Sequence, residues 1–144
     1  MARWSEIEAE VPHLTAAARG FFDAFVHKTM ATSRADGSPR ISGTEVEFSD
    51  GDAWIGSMLH AVKARDLQRD PRFAIHSGSR DPDDGWSGDA KIAGRAVEVS
   101  GPEATSHRFR LDIDEVVVVR LGDPGDHLVI EAWHKGRGLT SLRR

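Results

Sequence analysis

Two Asp-Gly pairs, Asp36-Gly37 and Asp50-Gly51, constrain this chain more than any other feature in it. Glycine accepts the positive φ that a tight turn needs, so each pair between strand-like runs reads as a β-hairpin. The flanking runs, 28–35, 39–48 and 52–58, then form a three-stranded meander. Pro39 stands at a strand start, where a missing N–H is tolerated. From His27 to Ile75 the chain reads strand, hairpin, strand, hairpin, strand, short helix, strand.

The remaining segments extend that pattern. Val11, Leu14, Ala18, Phe21, Phe22 and Phe25 recur at helical spacing, which predicts an N-terminal helical segment over residues 1–26. Residues 60–69, HAVKARDLQR, have Val62 as their one β-branched residue and read as a short helix that Asp70-Pro71 stops. Further strands are expected at 72–77, 89–100, 111–122 and 127–135. Gly94 inside the second of these points to a bulge or a bend at a barrel corner. Between them lie a polar loop (79–88) carrying Trp86, a short helical or irregular link (102–109) and a turn at Asp123-Pro124-Gly125-Asp126. A glycine- and arginine-rich tail, 136–144, closes the chain. The expectation is one domain, 1–144, mainly β: a six- to seven-stranded antiparallel barrel over 27–135 with two or three peripheral helices.

Several function classes drop out. The net charge is −4 with acids and bases interspersed, so no basic stripe offers itself to nucleic acid. The absence of cysteine removes disulfides, thiolate nucleophiles and Cys-based zinc sites. The seven histidines show no H-x-x-x-H spacing, and no metal site is expected. Asp81, Asp83 and Asp84 lack the spacing and closing glutamate of a calcium loop. Neither a G-x-S-x-G elbow nor a P-loop is present. No apolar run reaches membrane-spanning length and MARWSEIEAE lacks the order of a signal peptide, so no membrane partner and a cytoplasmic location are expected. At 39% apolar residues the core is slightly lean, which fits a chain that completes itself by dimerising.

One place carries chemistry. The third strand ends in Gly56-Ser57 and leads into the helix bearing Lys63. Hydroxyl, backbone N–H and ammonium groups brought together there suit an anion such as a phosphate. The same residues also fit a plain strand end and a solvated helix lysine, and the residue types alone leave both readings open.

The order of these pieces resembles the pyridoxamine 5′-phosphate oxidase-like, FMN-binding split-barrel superfamily. Four stretches carry the likeness: MATSRADGSPRIS; DAWIGSM with the Lys63 helix and DLQRDPRFAI; DAKIAGRAVEVS; and IEAWHKGRGL. The resemblance implies a split β-barrel, a homodimer with the cofactor in a groove at the interface, and a small-molecule substrate. It implies FMN as cofactor, with the deazaflavin F420 as the alternative; some members bind haem and some nothing known. By matching position, Lys63 contacts the FMN phosphate, and Gly56 and Ser57 form the strand-end pair beside it. Arg40, Ile41 and Ser42, with Met30 to Thr32, underlie the flavin ring and its ribityl chain. Trp133 covers the ring held across the interface; alternation places it on one face with Val129 and Glu131, and barrel packing is the competing role.

The departures bear on function. Val62 stands where an arginine precedes the lysine in the oxidase, and the strand from Arg40 ends in Glu45. The C-terminal stretch that grips the substrate phosphate is replaced by Gly138-Leu139-Thr140-Ser141-Leu142. Oxidation of pyridoxamine phosphate is therefore not expected. The implied function is a small oxidoreductase that passes hydride through its flavin-type cofactor; the alternative is a non-enzymatic carrier, sensor or degenerate barrel. No catalytic acid or base stands out. Arg65, Arg69 and Arg137 are candidates for the polyanionic tail of F420.

Overall fold

The N-terminal segment is two helices, because proline interrupts it. Val11 adopts φ −134 and ψ 66, and Pro12, which has no N–H to give a preceding turn, starts a new helix. The computed structural model, which describes residues 1–144, therefore has α1 (Trp4–Glu10) and α2 (Pro12–Asp23) where one helix to about residue 26 is expected.

Both Asp-Gly turns form hairpins. Gly37 sits at φ 87, and Asp50 and Gly51 take φ 54 and 78. The first joins β1 (Lys28–Ser33) to β2 (Pro39–Thr44); the second joins β3 (Glu47–Ser49) to β4 (Asp52–Met58). The expected single strand 39–48 is thus two strands parted at Glu45-Val46, and the three-stranded meander does not form. The rest of the chain adds α3 (Val62–Arg69), β5 (Arg72–His76), β6 (Gly88–Glu98), β7 (Ser106–Gly122), β8 (His127–His134) and β9 (Gly138–Arg143). The structure is mainly β, with nine strands in place of six or seven; the 136–144 tail supplies the last of them, paired along β8.

Hydrogen bonding runs in the order β2-β1-β5-β6-β7-β4-β3. The two hairpins therefore sit at opposite ends of one antiparallel sheet. Only two residues, Glu45 and Val46, connect those ends, so the sheet curls into a barrel whose seam, with β2 on one side and the β3–β4 hairpin on the other, carries no strand pairing. The long strand β7 organises the other side. Its residues 106–111 pair with β4, its residues 115–122 pair with β8, and β6 follows its opposite edge. At the handover Ile113 would lack a partner on one side. Ala2 supplies it: Ala2 N–H donates to the Ile113 carbonyl at 2.9 Å, and Ile113 N–H donates back at 2.8 Å.

Alternation decides what faces inward. On β6, Gly88, Ala90, Ile92, Gly94 and Ala96 are buried and the residues between them are not. The core joins Met30, Ile55, Ile75, Ile92, Phe109, Leu111 and Ile113 of the sheet to Trp4, Ile7, Leu14 and Phe22 of the helices. Phe48 seals the helical end, 4.8 Å from Trp4 and 6.1 Å from Phe22 between ring centres. No helix is long and apolar enough to cross a membrane.

Gly94 marks the bulge expected of it: the β6–β7 register shifts between Ala93 and Gly94. There the two backbones approach so closely that a Cβ on Gly94 would lie 2.0 Å from the Asp112 carbonyl oxygen. Gly94→Ala is expected to destabilise the fold by about 3 kcal/mol, at the upper end of overpacking effects because the obstacle is backbone. Urea denaturation checks this, and an unchanged midpoint would contradict it.

Candidate functional site

The groove begins at the seam. The end of β2 (Gly43, Thr44) and Glu45 after it face the end of β4 (Gly56, Ser57, Met58), with Lys63 of α3, His27 and Ser106 completing a cavity of about 650 Å³. Three expected site residues, Gly56, Ser57 and Lys63, are therefore gathered in one place. Lys63 Nζ donates to the Gly43 carbonyl at 2.7 Å, which holds the ammonium at the wall. Burial lowers the lysine's proton affinity, and the nearby Glu45 carboxylate opposes that shift. The Ser57 hydroxyl has only a long contact, 3.4 Å to the Met58 carbonyl, and is free to turn to a ligand. Ala61 caps α3 without a side chain able to accept a hydrogen bond; the Ala64 N–H turns back to the Ala61 carbonyl at 3.1 Å, and the Val62 and Lys63 N–H groups stay open.

The turn between β4 and α3 is fixed by His107. His60 adopts φ 66, and its N–H donates to His107 Nε2 at 3.2 Å. His107 Nδ1 donates to Glu98 Oε2 at 2.6 Å, since a carboxylate can only accept. Hydrogen bonds from Ser100 and His107 bring Glu98 down to about 2. A neighbouring cavity of about 360 Å³ shares Glu45, Gly56 and Ser106 with the groove and adds Trp54 and Arg108. The Arg108 guanidinium lies 4.3 Å from the centre of the Trp54 ring.

Other expected contacts lie elsewhere. Arg40 and Thr32 turn to Asp66, not to the groove: Arg40 Nε and Thr32 Oγ1 each donate to Asp66 Oδ2 at 2.7 Å. Arg69 completes the cluster, donating to Asp66 Oδ1 at 2.9 Å and to the Ser33 carbonyl at 3.0 Å. Ser42 faces inward with its hydroxyl buried and unpartnered. Ile41 projects outward, 74% exposed, over a shallow surface with Thr29, Ala31 and Ala74. Trp133 does not reach outward as a lid. It is 2% exposed within the core, and its indole N–H donates to Glu10 Oε2 at 2.8 Å. Helix α1 supplies that acceptor, which satisfies the indole in place and leaves the ring to barrel packing. His27, Thr44, Ser106, His107 and Arg108 line the two cavities without having been singled out; no local motif marks them, because topology alone brings them together.

No family model and no curated protein matches the chain. Solved structures do. PhzG from Burkholderia lata 383 aligns with a TM-score of 0.66 at 11% identity, over 96% of this chain and 91% of its own. A pyridoxamine 5′-phosphate oxidase-related, FMN-binding protein from Nostoc punctiforme aligns over 100% and 98% of the two chains, with a TM-score of 0.61 at 12% identity. The fold is therefore a split β-barrel like that of these two proteins. A haem-binding protein from Mycobacterium smegmatis shares the split barrel too, with a TM-score of 0.59 at 15% identity over 88% of this chain and 86% of its own. At such identities the likeness is one of fold.

Asp66 ties α3 to this split barrel. Burial pushes its carboxyl up, but the hydrogen bonds from Arg40, Thr32 and Arg69 outweigh that and hold it below the usual carboxylate range. A depressed folded-state value means the stabilisation is full above the unfolded-state pKa of about 4 and is lost as pH falls through the lower folded value. Asp66→Asn is expected to cost about 3 kcal/mol at pH 7, and the gap from wild type should narrow on acidification. Urea denaturation at a series of pH values measures both; a gap that stayed constant with pH would show that the charge is not what matters.

Proposed function

We propose that the chain is a flavin-type cofactor-binding protein, with FMN as the first candidate, that holds the cofactor phosphate in the groove at the β2–β4 seam. The observation that carries this reading is the convergence of Lys63, Ser57, Gly56 and the open first turn of α3 on one cavity of about 650 Å³. A phosphate monoester there would meet an ammonium, a hydroxyl and unpaired N–H groups. Glu45 lines the same groove and Val62 offers no second cation, so the site holds its anion with less charge than an Arg-Lys pair would supply. A bound flavin would supply the hydride chemistry. The chain's own part is to anchor the phosphate and shape the groove, and no general acid or base is assigned.

The wider reading is a cytoplasmic homodimeric oxidoreductase acting on a small molecule. The shallow outer face with Ile41, Thr29, Ala31 and Ala74 supports a second copy as partner, since its small side chains allow two sheets to come close. For F420, Arg65 and Arg137 are exposed and available to its anionic tail, while Arg69 is engaged with Asp66. Haem is the second reading, favoured by His27, an imidazole that lines the groove and forms no side-chain hydrogen bond within the chain. If the cofactor is held but never turned over, the protein is a carrier or sensor.

Titration of the purified protein with FMN, F420 and haem in parallel tests the proposal, with flavin fluorescence and the haem Soret band as readouts. FMN is expected to bind, and Lys63→Ala to weaken it by roughly 1.5–3 kcal/mol, or about 10- to 100-fold. Unchanged affinity in that variant would remove Lys63 from the site, and binding of none of the three would overturn the proposal. Reduction and reoxidation of the bound flavin by a substrate would separate the enzyme from the carrier.

A further inference from the structure

We propose that the cleft between α2 and the 78–88 loop is a second small-molecule site, one that takes an aromatic carboxylate. It is independent of the phosphate groove, with which it shares no lining residue.

The cleft has a volume of about 370 Å³. Its floor is one face of α2 built from Ala16, Ala17 and Gly20, extended by Ala24, and none of these four has a side chain large enough to fill the space. Its walls are aromatic: Phe21 and Phe25 from the helical side and Trp86 from the loop. The two phenylalanines are seated directly on glycines. A Cβ on Gly88 would lie 2.6 Å from the Phe21 ring, and one on Gly78 would lie 2.5 Å from Phe25. The chain thus uses glycine to let these rings lie against its backbone, while small residues of α2 beside them keep the space open. Packing alone would favour larger residues on that helix face.

The polar groups of the cleft are cationic. Arg80 is exposed, stands 5.6 Å from the centre of the Phe25 ring and forms no ion pair. Arg120 shares its guanidinium with Glu131 at 3.3 Å and keeps part of its donor set free. The loop's three aspartates, Asp81, Asp83 and Asp84, line none of the cleft, so its charge is that of its two arginines. A flat apolar body between Phe21, Phe25 and Trp86, with a carboxylate reaching Arg80, matches the shape and the charge together. The Trp86 indole N–H, which donates to Asp89 at 3.3 Å, reports on the site.

The test is amide and indole NMR of the labelled full chain titrated with 1-naphthoate and with its uncharged counterpart, 1-naphthylmethanol. Naphthoate is expected to give saturable shifts centred on the Trp86 indole and on Gly20 and Gly85, with an affinity about tenfold above that of the alcohol. Arg80→Gln should erase that preference. Gly20→Leu should weaken both probes by about tenfold; a Cβ at position 20 meets no atom within 4 Å and leucine is the better helix former, so this variant folds while it fills the cleft. The proposal is overturned by shifts centred on Ser57 and Lys63, by equal affinity for the two probes, or by no saturable shift at millimolar concentration.

Discussion

The buried carboxylate of Asp66 is the interaction on which the site depends. It draws Thr32 of β1, Arg40 of β2 and Arg69 of its own helix to one point, and so pins α3 against the edge of the sheet. Lys63 lies one turn earlier on that helix and reaches the Gly43 carbonyl of β2. With α3 displaced, the lysine, the open helix N-terminus and the strand end would no longer share a groove. A buried charge with three donors is an expensive way to dock a short helix. What it secures is position, since eight residues have little apolar surface of their own to bury: Ala64 and Leu67 are the helix's only buried apolar side chains.

Barrel closure places the groove where it is. One sheet carries β2 at one end and β3 at the other, and two residues join them. No ladder crosses the seam, so backbone and side chains there remain available to a ligand, and Gly43, Thr44 and Glu45 stand at that point. The strand β7 makes this possible on the far side by changing partners midway, with Ala2 satisfying Ile113 between the two stretches. The groove is therefore a consequence of topology, and Lys63 and Ser57 line it with an ammonium and a hydroxyl.

What was legible in the sequence follows from how local each signal is. The Asp-Gly turns, the Gly94 bulge and the stop at Asp70-Pro71 rest on backbone rules that need no tertiary context, and each is present. The break at Val11-Pro12 was equally local, but the helical spacing begins at Val11, so nothing in it sets α1 apart as a helix of its own. The split of 39–48 was not legible, because alternation continues through Glu45 and Val46 while the chain crosses from one end of the sheet to the other. Strand β9 carries few β-branched residues and forms because β8 offers it an edge. Gly56, Ser57 and Lys63 line one cavity, as their spacing suggests, because only eight residues span them. The places of Arg40, Thr32 and Trp133 were not legible, since their partners, Asp66 and Glu10, are 26 to 123 residues away.

The central claim is that an anionic cofactor end is held at the β2–β4 seam, and mapping the backbone amides that respond to FMN tests it most directly. The largest shifts are expected on Gly56, Ser57, Val62 and Lys63, where strand end and helix start meet. Shifts confined to other surfaces, or none at saturating FMN, would contradict it.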